Sequence, residues 1–580
     1  MIAVLKCAEN ATIGLAGLRN KNCQSLSADA GSSGGGGIPD VNPQYIGSHT
    51  IPTRRHRLKL FGCFGELLDV KTSIGTVRGQ TVDIFNITVK QFYGIPFAEP
   101  PVGALRFSKP LPLKPIKDVI DCTKQKHSCY QNDNFLGPLV PDVSEDCLVL
   151  NIWAPNDAKS GNQTATAPLK AVMFWIYGGA YKDGSIFLPT YDGRVLATHD
   201  IVLVTVNYRV GPFGFLYGGE ETAPGNLGLY DQLLALKWTR ENIHLFGGDP
   251  NQITIFGESA GSWSVTGHIM SPQSRGLFRR AIMESGAIYM DKDAGILSKT
   301  KALAEAKQMA KVFNCSDDSQ WLQCLRSIDA KKLNNYTLLD TYPIYDTDFL
   351  PINAQHAFKT HNYSADIDIM AGVMRNEGSV LAHTFYPISD TIKTRQDFSD
   401  VIQTLPLPGM AEDKITEFYL KDVAVNATNG TKRAFWNFFG DVVITCPTYL
   451  FAKDFAVNSP DRDVYFFEWT YPSKFVGPVM GCTPEMGVCH AAEIEHVFGL
   501  PVLMKSPDSA FSNSVVNMWT NFAKTGQPMA GTPYKWPRLI EAGAENPVPK
   551  FKEINPSTPD HIFDDLLAKT CDGFWKTYYN

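Results

Sequence analysis

The sequence predicts an α/β fold with a large, mostly parallel central sheet and helices on both faces, and three observations carry that prediction. Nearly continuous apolar runs of strand length occur at 171–177 and 201–206, as expected of strands covered on both faces. Residues 228–242 show helical spacing, with Leu229, Leu233, Leu236 and Trp238 among the apolar positions, and another apolar run follows at 253–256. Strand, helix, strand in that order implies a parallel βαβ sheet.

Composition narrows the function. The 580 residues include 53 basic and 59 acidic side chains, a formal charge of −6, and 44% of them are hydrophobic while only 19% are charged. That profile excludes wholesale disorder and a broad basic surface, so nucleic acid is not an expected partner. No run of 18 or more apolar residues occurs, so neither a membrane-spanning segment nor a lipid-anchor tail is encoded.

Two parts follow from texture. Residues 1–65 form a low-complexity N-terminal segment, read as processed or disordered. It holds the glycine-rich stretch Gly31-Ser32-Ser33-Gly34-Gly35-Gly36-Gly37 and the basic stretch Arg54-Arg55-His56-Arg57-Leu58-Lys59. The first has the composition of a flexible linker, and the second reads as solvated or processed rather than as a membrane patch. Residues 66–580 form the folded domain. Asn-x-Ser/Thr sites at Asn10, Asn86, Asn162, Asn314, Asn335, Asn362, Asn426 and Asn429 stand beside closely spaced cysteine pairs, which points to a secreted, extracellular protein. The opening of the chain does not have the form of a signal peptide, because Glu9 and Asn10 interrupt it before a long apolar run develops. Either the start lies upstream or export takes another route.

The chemistry begins where the run at 253–256 ends, at Gly257-Glu258-Ser259-Ala260-Gly261, followed by a helix-compatible stretch to Met270. A chain of this length should contain about 0.2 G-x-S-x-G matches by chance; the strand-to-helix context supplies the specificity. A serine there must turn the chain within one or two residues, and glycines two positions to either side remove colliding Cβ atoms. Ser259 is then presented above the sheet as a nucleophile. A serine hydroxyl needs a base, and the base an orienting carboxylate, expected downstream in the order acid, then histidine. Glu377 follows a strand at 367–373, and His490 lies in a loop beyond a strand at 464–469. The oxyanion of acyl transfer needs preorganised N–H donors. Ala260 is one, and Gly179 and Ala180, after the strand ending at Tyr177, supply the others. An unperturbed histidine titrates near 6.5, so activity is expected to fall below that pH.

These stretches resemble the type-B carboxylesterase and cholinesterase family of α/β-hydrolases over nearly everything after about residue 66. The resemblance is carried by Ser144-Glu145-Asp146-Cys147-Leu148-Val149-Leu150-Asn151-Ile152, by Phe246-Gly247-Gly248-Asp249-Pro250 leading to the serine motif, and by Gly487-Val488-Cys489-His490 leading to Glu493-Ile494-Glu495. It implies an α/β-hydrolase fold and a serine esterase with no metal or cofactor, acting on a small-molecule ester. It also implies that Ser259, Glu377 and His490 are the triad, with Glu258 and Glu493 as supporting acids and Arg106 with Glu145 as a buried ion pair. Ala180 stands where many relatives have a third glycine, and alanine keeps its N–H. The resemblance pairs Cys129 with Cys147, Cys315 with Cys324, and Cys446 with Cys571. Cys482 and Cys489 are additional and either close a small loop beside His490 or remain free thiols, while Cys7, Cys23, Cys63 and Cys122 have no assignable partner. The resemblance fixes no oligomeric state.

Choline-ester hydrolases of this family hold the quaternary ammonium in an aromatic cage, above all on a tryptophan in the first disulfide loop. The loop here, residues 130–146, has Tyr130 and Phe135 but no tryptophan, and Val380 and Leu381 follow the triad acid where such enzymes place aromatics. The expectation is therefore a general carboxylesterase for neutral esters. The alternative is a cholinesterase-like enzyme using Tyr181, Tyr342 or Tyr345. Non-catalytic adhesion ectodomains share this fold but typically lack the serine and carry a membrane-spanning tail; this chain has the serine and encodes no such tail.

Overall fold

The computed structural model describes residues 65–579 apart from 132–139, 141, 157–167, 290–296, 317–318, 406–410, 425–426, 428, 542 and 544–546. The expectations for the N-terminal segment, for Cys7, Cys23 and Cys63, for Phe135, and for Asn10, Asn162 and Asn426 lie outside the described residues. The elements below belong to one compact unit, Leu67–Asn580.

Among the described residues its main sheet has 13 strands. At one edge β1 (Leu67–Thr72), β2 (Gly75–Ile84), β3 (Ile87–Pro96) and β4 (Val149–Pro155) run antiparallel to their neighbours, and the short strand Ile120–Asp121 pairs with β2. The centre is parallel, in the spatial order β6 (Val202–Val206), β5 (Lys170–Ile176), β7 (Gly248–Glu258), β8 (Arg280–Glu284), β9 (Asp368–Met374), β10 (Val464–Trp469) and β11 (Lys550–Ile554). Antiparallel β12 (Ile562–Asp564) closes the far edge. All residues of β6, β8 and β9 are buried, as their mainly apolar sequences require; the polar exceptions are Thr205 in β6, Arg280 and Glu284 at the two ends of β8, and Asp368 at the start of β9.

The expected helix is α1 (Leu227–Asn242), buried on most of its surface, and α2 (Ala260–Met270), which follows the serine motif, is buried throughout. Further along come α3 (Gly378–Phe385), α4 (Cys446–Asn458) and α5 (Ser509–Thr525). In β7, Phe256 and Gly257 pair with Trp175 and Ile176 of β5, and on the other side Glu258 pairs with Glu284 of β8. This register places the C-terminal ends of β5, β7 and β8 side by side, where open α/β sheets carry their sites.

Candidate active site

Ser259 is the single residue between β7 and α2, at φ 56°, ψ −123°. Such a backbone is costly for a residue with a Cβ and persists only where its surroundings enforce it. Here the Ser259 N–H donates to the Glu284 carbonyl (2.9 Å), and its carbonyl accepts from Trp263 N–H (2.9 Å). The flanking glycines are where the two arms meet. A Cβ on Gly257 would lie 2.6 Å from the Ile176 carbonyl oxygen and 2.7 Å from the Gly261 carbonyl, and one on Gly261 would collide with the Ile176 carbonyl. Ser259 is half-buried, whereas both of its neighbours are buried.

Glu377, just after β9, accepts from Met374 N–H at 2.6 Å through Oε1, and its Oε2 lies 2.6 Å from His490 Nδ1. Both side chains are buried. On the other side of the ring, His490 Nε2 lies 2.9 Å from Glu258 Oε1. Among the described residues no hydrogen bond joins Ser259 Oγ to His490, so the imidazole rests between two carboxylates. Burial alone would lower its pKa; Glu258 and Glu377 outweigh burial and hold it well above the usual 6.5. The expectation of an unperturbed histidine is thereby corrected, because sequence spacing does not reveal a second carboxylate at Nε2.

Gly179 (φ 110°) and Ala180 (φ 53°) both adopt left-handed backbone after β5. A Cβ on Gly178 would sit 2.6 Å from Glu258 Oε2 and 3.0 Å from Ser259 Cβ, so this loop packs directly on the serine turn. Among the described residues the N–H groups of Gly179, Ala180 and Ala260 have no protein acceptor.

Close enough to Glu258 to feel its charge are two further buried acids, Glu493, which the family resemblance implies as a supporting acid, and Glu284, which no local pattern announces. Glu284 accepts from Trp519 Nε1 of α5 at 2.9 Å, and burial raises its carboxyl to about 8. Glu493 is fully buried with neither oxygen hydrogen-bonded, and burial, followed by the charges of Glu284 and Glu258, pushes it well above the usual range. Asp183, packed on Gly179, is raised by burial to about 7. Asn376 was also missed: its N–H donates to the Val488 carbonyl, and its Oδ1 accepts from Val488 N–H, both at 3.0 Å, tying the Glu377 loop to the His490 loop.

The structure joins Cys129 to Cys147, Cys315 to Cys324, Cys446 to Cys571, and Cys482 to Cys489; Cys122 is a buried thiol that burial pushes up to about 12. Arg106 grips Glu145 through Nε (2.7 Å) and Nη2 (2.6 Å). Of the aromatics considered for a cation, Tyr181 is fully buried with its ring 4.6 Å from Phe215, while Tyr342 and Tyr345 are half-buried. Val380 is buried too, which leaves Leu381 as the partly exposed residue of that pair.

A serine presented at a strand-to-helix turn beside an acid–histidine pair, on the C-terminal edge of a parallel sheet, defines an α/β-hydrolase. Residues 67–560 match the profile of the carboxylesterase family, and the chain belongs to that family, whose members are serine hydrolases of carboxylic esters. Among similar proteins, the cholinesterase of Mus musculus is 35% identical over 546 residues, covering 88% of this chain and 86% of that protein. The acetylcholinesterase of Bungarus fasciatus is 34% identical over 553 residues (89% and 87%), and acetylcholinesterase-1 of Trittame loki is 32% identical over 551 (88% and 94%). Among the described residues no helix is long and apolar enough to cross a membrane.

Proposed function

We propose that the protein is a general carboxylesterase in which Ser259 attacks the ester carbonyl, His490 is the base and Glu377 orients it. The supporting observation is the 2.6 Å contact of Glu377 with His490 Nδ1 beside a serine in strained backbone. Attack forms the Oγ–carbon bond while Nε2 takes the hydroxyl proton. The negative charge that develops on the carbonyl oxygen is met by the N–H groups of Gly179, Ala180 and Ala260. Collapse breaks the bond to the alkoxy group, which leaves with the proton from Nε2. Water then attacks the acyl-enzyme by the same route and the carboxylic acid departs. The step requires a neutral imidazole with Nε2 turned from Glu258 toward Oγ, a tightening that substrate brings about.

The substrate class is neutral aliphatic or aryl esters. The half-buried Leu381 and the absence of a tryptophan from residues 130–146 favour apolar groups, worth about 0.8 kcal/mol per buried CH₂, over a cation. Choline esters are the second reading, favoured by the similarity to a cholinesterase and an acetylcholinesterase. A choline ester and its uncharged isostere, assayed side by side with a series of acyl and alcohol lengths, decide between them. Wild-type enzyme favouring the choline ester tenfold or more would establish the second reading. Fluorophosphonate labelling lost in Ser259→Ala tests the nucleophile directly. The disulfides, together with exposed sequons at Asn86, Asn314 and Asn335, support residence in the secretory pathway. We assign the hydrolase domain to residues 66–580 and the low-complexity segment to 1–65.

A further inference from the structure

The loop that delivers His490 is fastened at both ends. At its start the Glu495 carboxylate accepts from the N–H groups of Lys474 (3.0 Å), Phe475 (2.9 Å) and Val476 (2.7 Å) and from Ser473 Oγ (2.5 Å). At its end the disulfide joins Cys482 to Cys489, seven positions apart, immediately before His490. Within the closed loop Val488 makes both hydrogen bonds to Asn376, next to Glu377, and Ser379 Oγ lies 3.4 Å from Cys489 Sγ in the first turn of α3. Cys489 is buried, whereas Cys482 is partly exposed and Thr483, Pro484 and Glu485 are exposed. Beneath the loop is a cavity of about 410 Å³ lined by Asn376, Ser379, Trp436, Pro484, Met486 and Gly487, among others. A loop released from its disulfide has room there to shift.

We propose that the Cys482–Cys489 disulfide is a reducible clamp on the general base, so that a dithiol lowers turnover while the fold persists. This rests on the reading of His490 as the base. In the exchange one thiolate of the dithiol attacks Cys482 Sγ, the Cys482–Cys489 bond breaks, and Cys489 leaves as a thiolate. The second thiolate of the reductant then displaces Cys482 from the mixed disulfide, so the dithiol is oxidised to a disulfide and two electrons pass to the protein. Cys482 and Cys489 are positioning residues; neither meets the substrate.

The test compares Cys482→Ser/Cys489→Ser with Cys315→Ser/Cys324→Ser, which removes the other partly exposed bridge. A 1 Å misplacement of reacting groups costs about 10²-fold; a smaller shift of His490 should lower kcat about tenfold in the first variant, with KM within about twofold and the acid limb of the pH profile moved. Dithiothreitol should bring wild type and the Cys315/Cys324 variant to the same level, reversibly on reoxidation with glutathione disulfide, and leave the Cys482/Cys489 variant unchanged. Wild-type kcat and pH profile in that variant, or undiminished sensitivity to dithiothreitol, overturns the clamp. Should the variant not fold, alkylation mapping of partly reduced wild type decides: loss of turnover must track Cys482, and loss tracking Cys324, or no loss, refutes the proposal. His490→Ala assayed alongside separates the two readings. Full activity there removes the base assignment, whereas an inactive His490→Ala with a redox-insensitive wild type removes the clamp alone.

Discussion

Gly257→Ala puts one methyl group into the seam between the two arms of the serine turn. The new Cβ would stand 2.6 Å from the Ile176 carbonyl oxygen and 2.7 Å from the carbonyl carbon and oxygen of Gly261, where real contacts need at least about 3 Å. None of these atoms belongs to a flexible side chain. Ile176 is held between β6 and β7 in the sheet, and Gly261 lies in the first turn of buried α2. Relief therefore separates β7 from α2 by about 0.5 Å, and Ser259 sits at their junction. If a 1 Å misplacement costs about 10²-fold, half of that should cost about tenfold in kcat/KM, alongside about 1–3 kcal/mol of stability from overpacking. Gly267→Ala, on the same helix, is the matched control: its Cβ would meet nothing closer than 3.5 Å, and replacing a mid-helix glycine adds about 1 kcal/mol of stability. Initial rates on a chromogenic ester, with denaturant melts of both variants, make the comparison. A folded Gly257→Ala enzyme within twofold of wild type would refute the geometric account of the turn.

Three further outcomes follow from the same geometry. Ser259→Ala and His490→Ala should each lose about 10⁶ in turnover, and Glu377→Gln about 10⁴ with the fold retained; near-normal turnover in the last would assign the acid elsewhere. Because the base works only when neutral and His490 is held above the usual imidazole range, kcat/KM should rise with pH through a limb above 6.5. Glu258→Gln removes the charge beside Nε2, so that limb should move to lower pH; a profile from pH 5 to 9 that stays put or moves up would contradict the contact. Asp231→Asn should cost about 3–5 kcal/mol in denaturant unfolding, because Asp231 accepts from Arg209 N–H, Nε and Nη2 at 3.0, 2.8 and 2.7 Å, and both residues are buried. A loss under 1 kcal/mol would mean that the guanidinium finds other acceptors.

What could be read from the sequence was whatever leaves a local signature. The parallel strands are legible because burial on both faces demands unbroken apolar runs, as in 171–177. The serine turn is legible because its steric demand falls on two glycines at fixed distance. Glu377 and His490 were found by their order along the chain and by family resemblance. The position of Glu258 against Nε2 was not legible, nor was the contact of Glu284 with Trp519, since those contacts join residues up to 235 positions apart. Asn376, Asp183 and the burial of Tyr181 and Val380 escaped for the same reason: exposure is decided by which elements stack, and a sequence records only what each would tolerate. The antiparallel edge formed by β1, β2 and β3 also went unread, because these strands are buried only in part and interleave polar with apolar residues, which is a fainter pattern than an unbroken apolar run.

The bridge from Cys446 to Cys571 spans 125 positions, and that span sets how the protein responds to being cut. Everything from α4 to the end of the sheet, including the His490 loop, lies inside this covalent ring. A protease that nicks the chain anywhere between the two cysteines produces pieces that stay tethered, so a nicked molecule migrates as one chain on a denaturing gel until thiol is added. Closing a ring of that size removes about 5 kcal/mol of disorder from the unfolded chain, and a single nick outside the Cys482–Cys489 loop, which its own bridge would hold closed, would remove that constraint while leaving the folded contacts in place. Digested enzyme should therefore stay assembled and active at moderate temperature, yet refold poorly once melted.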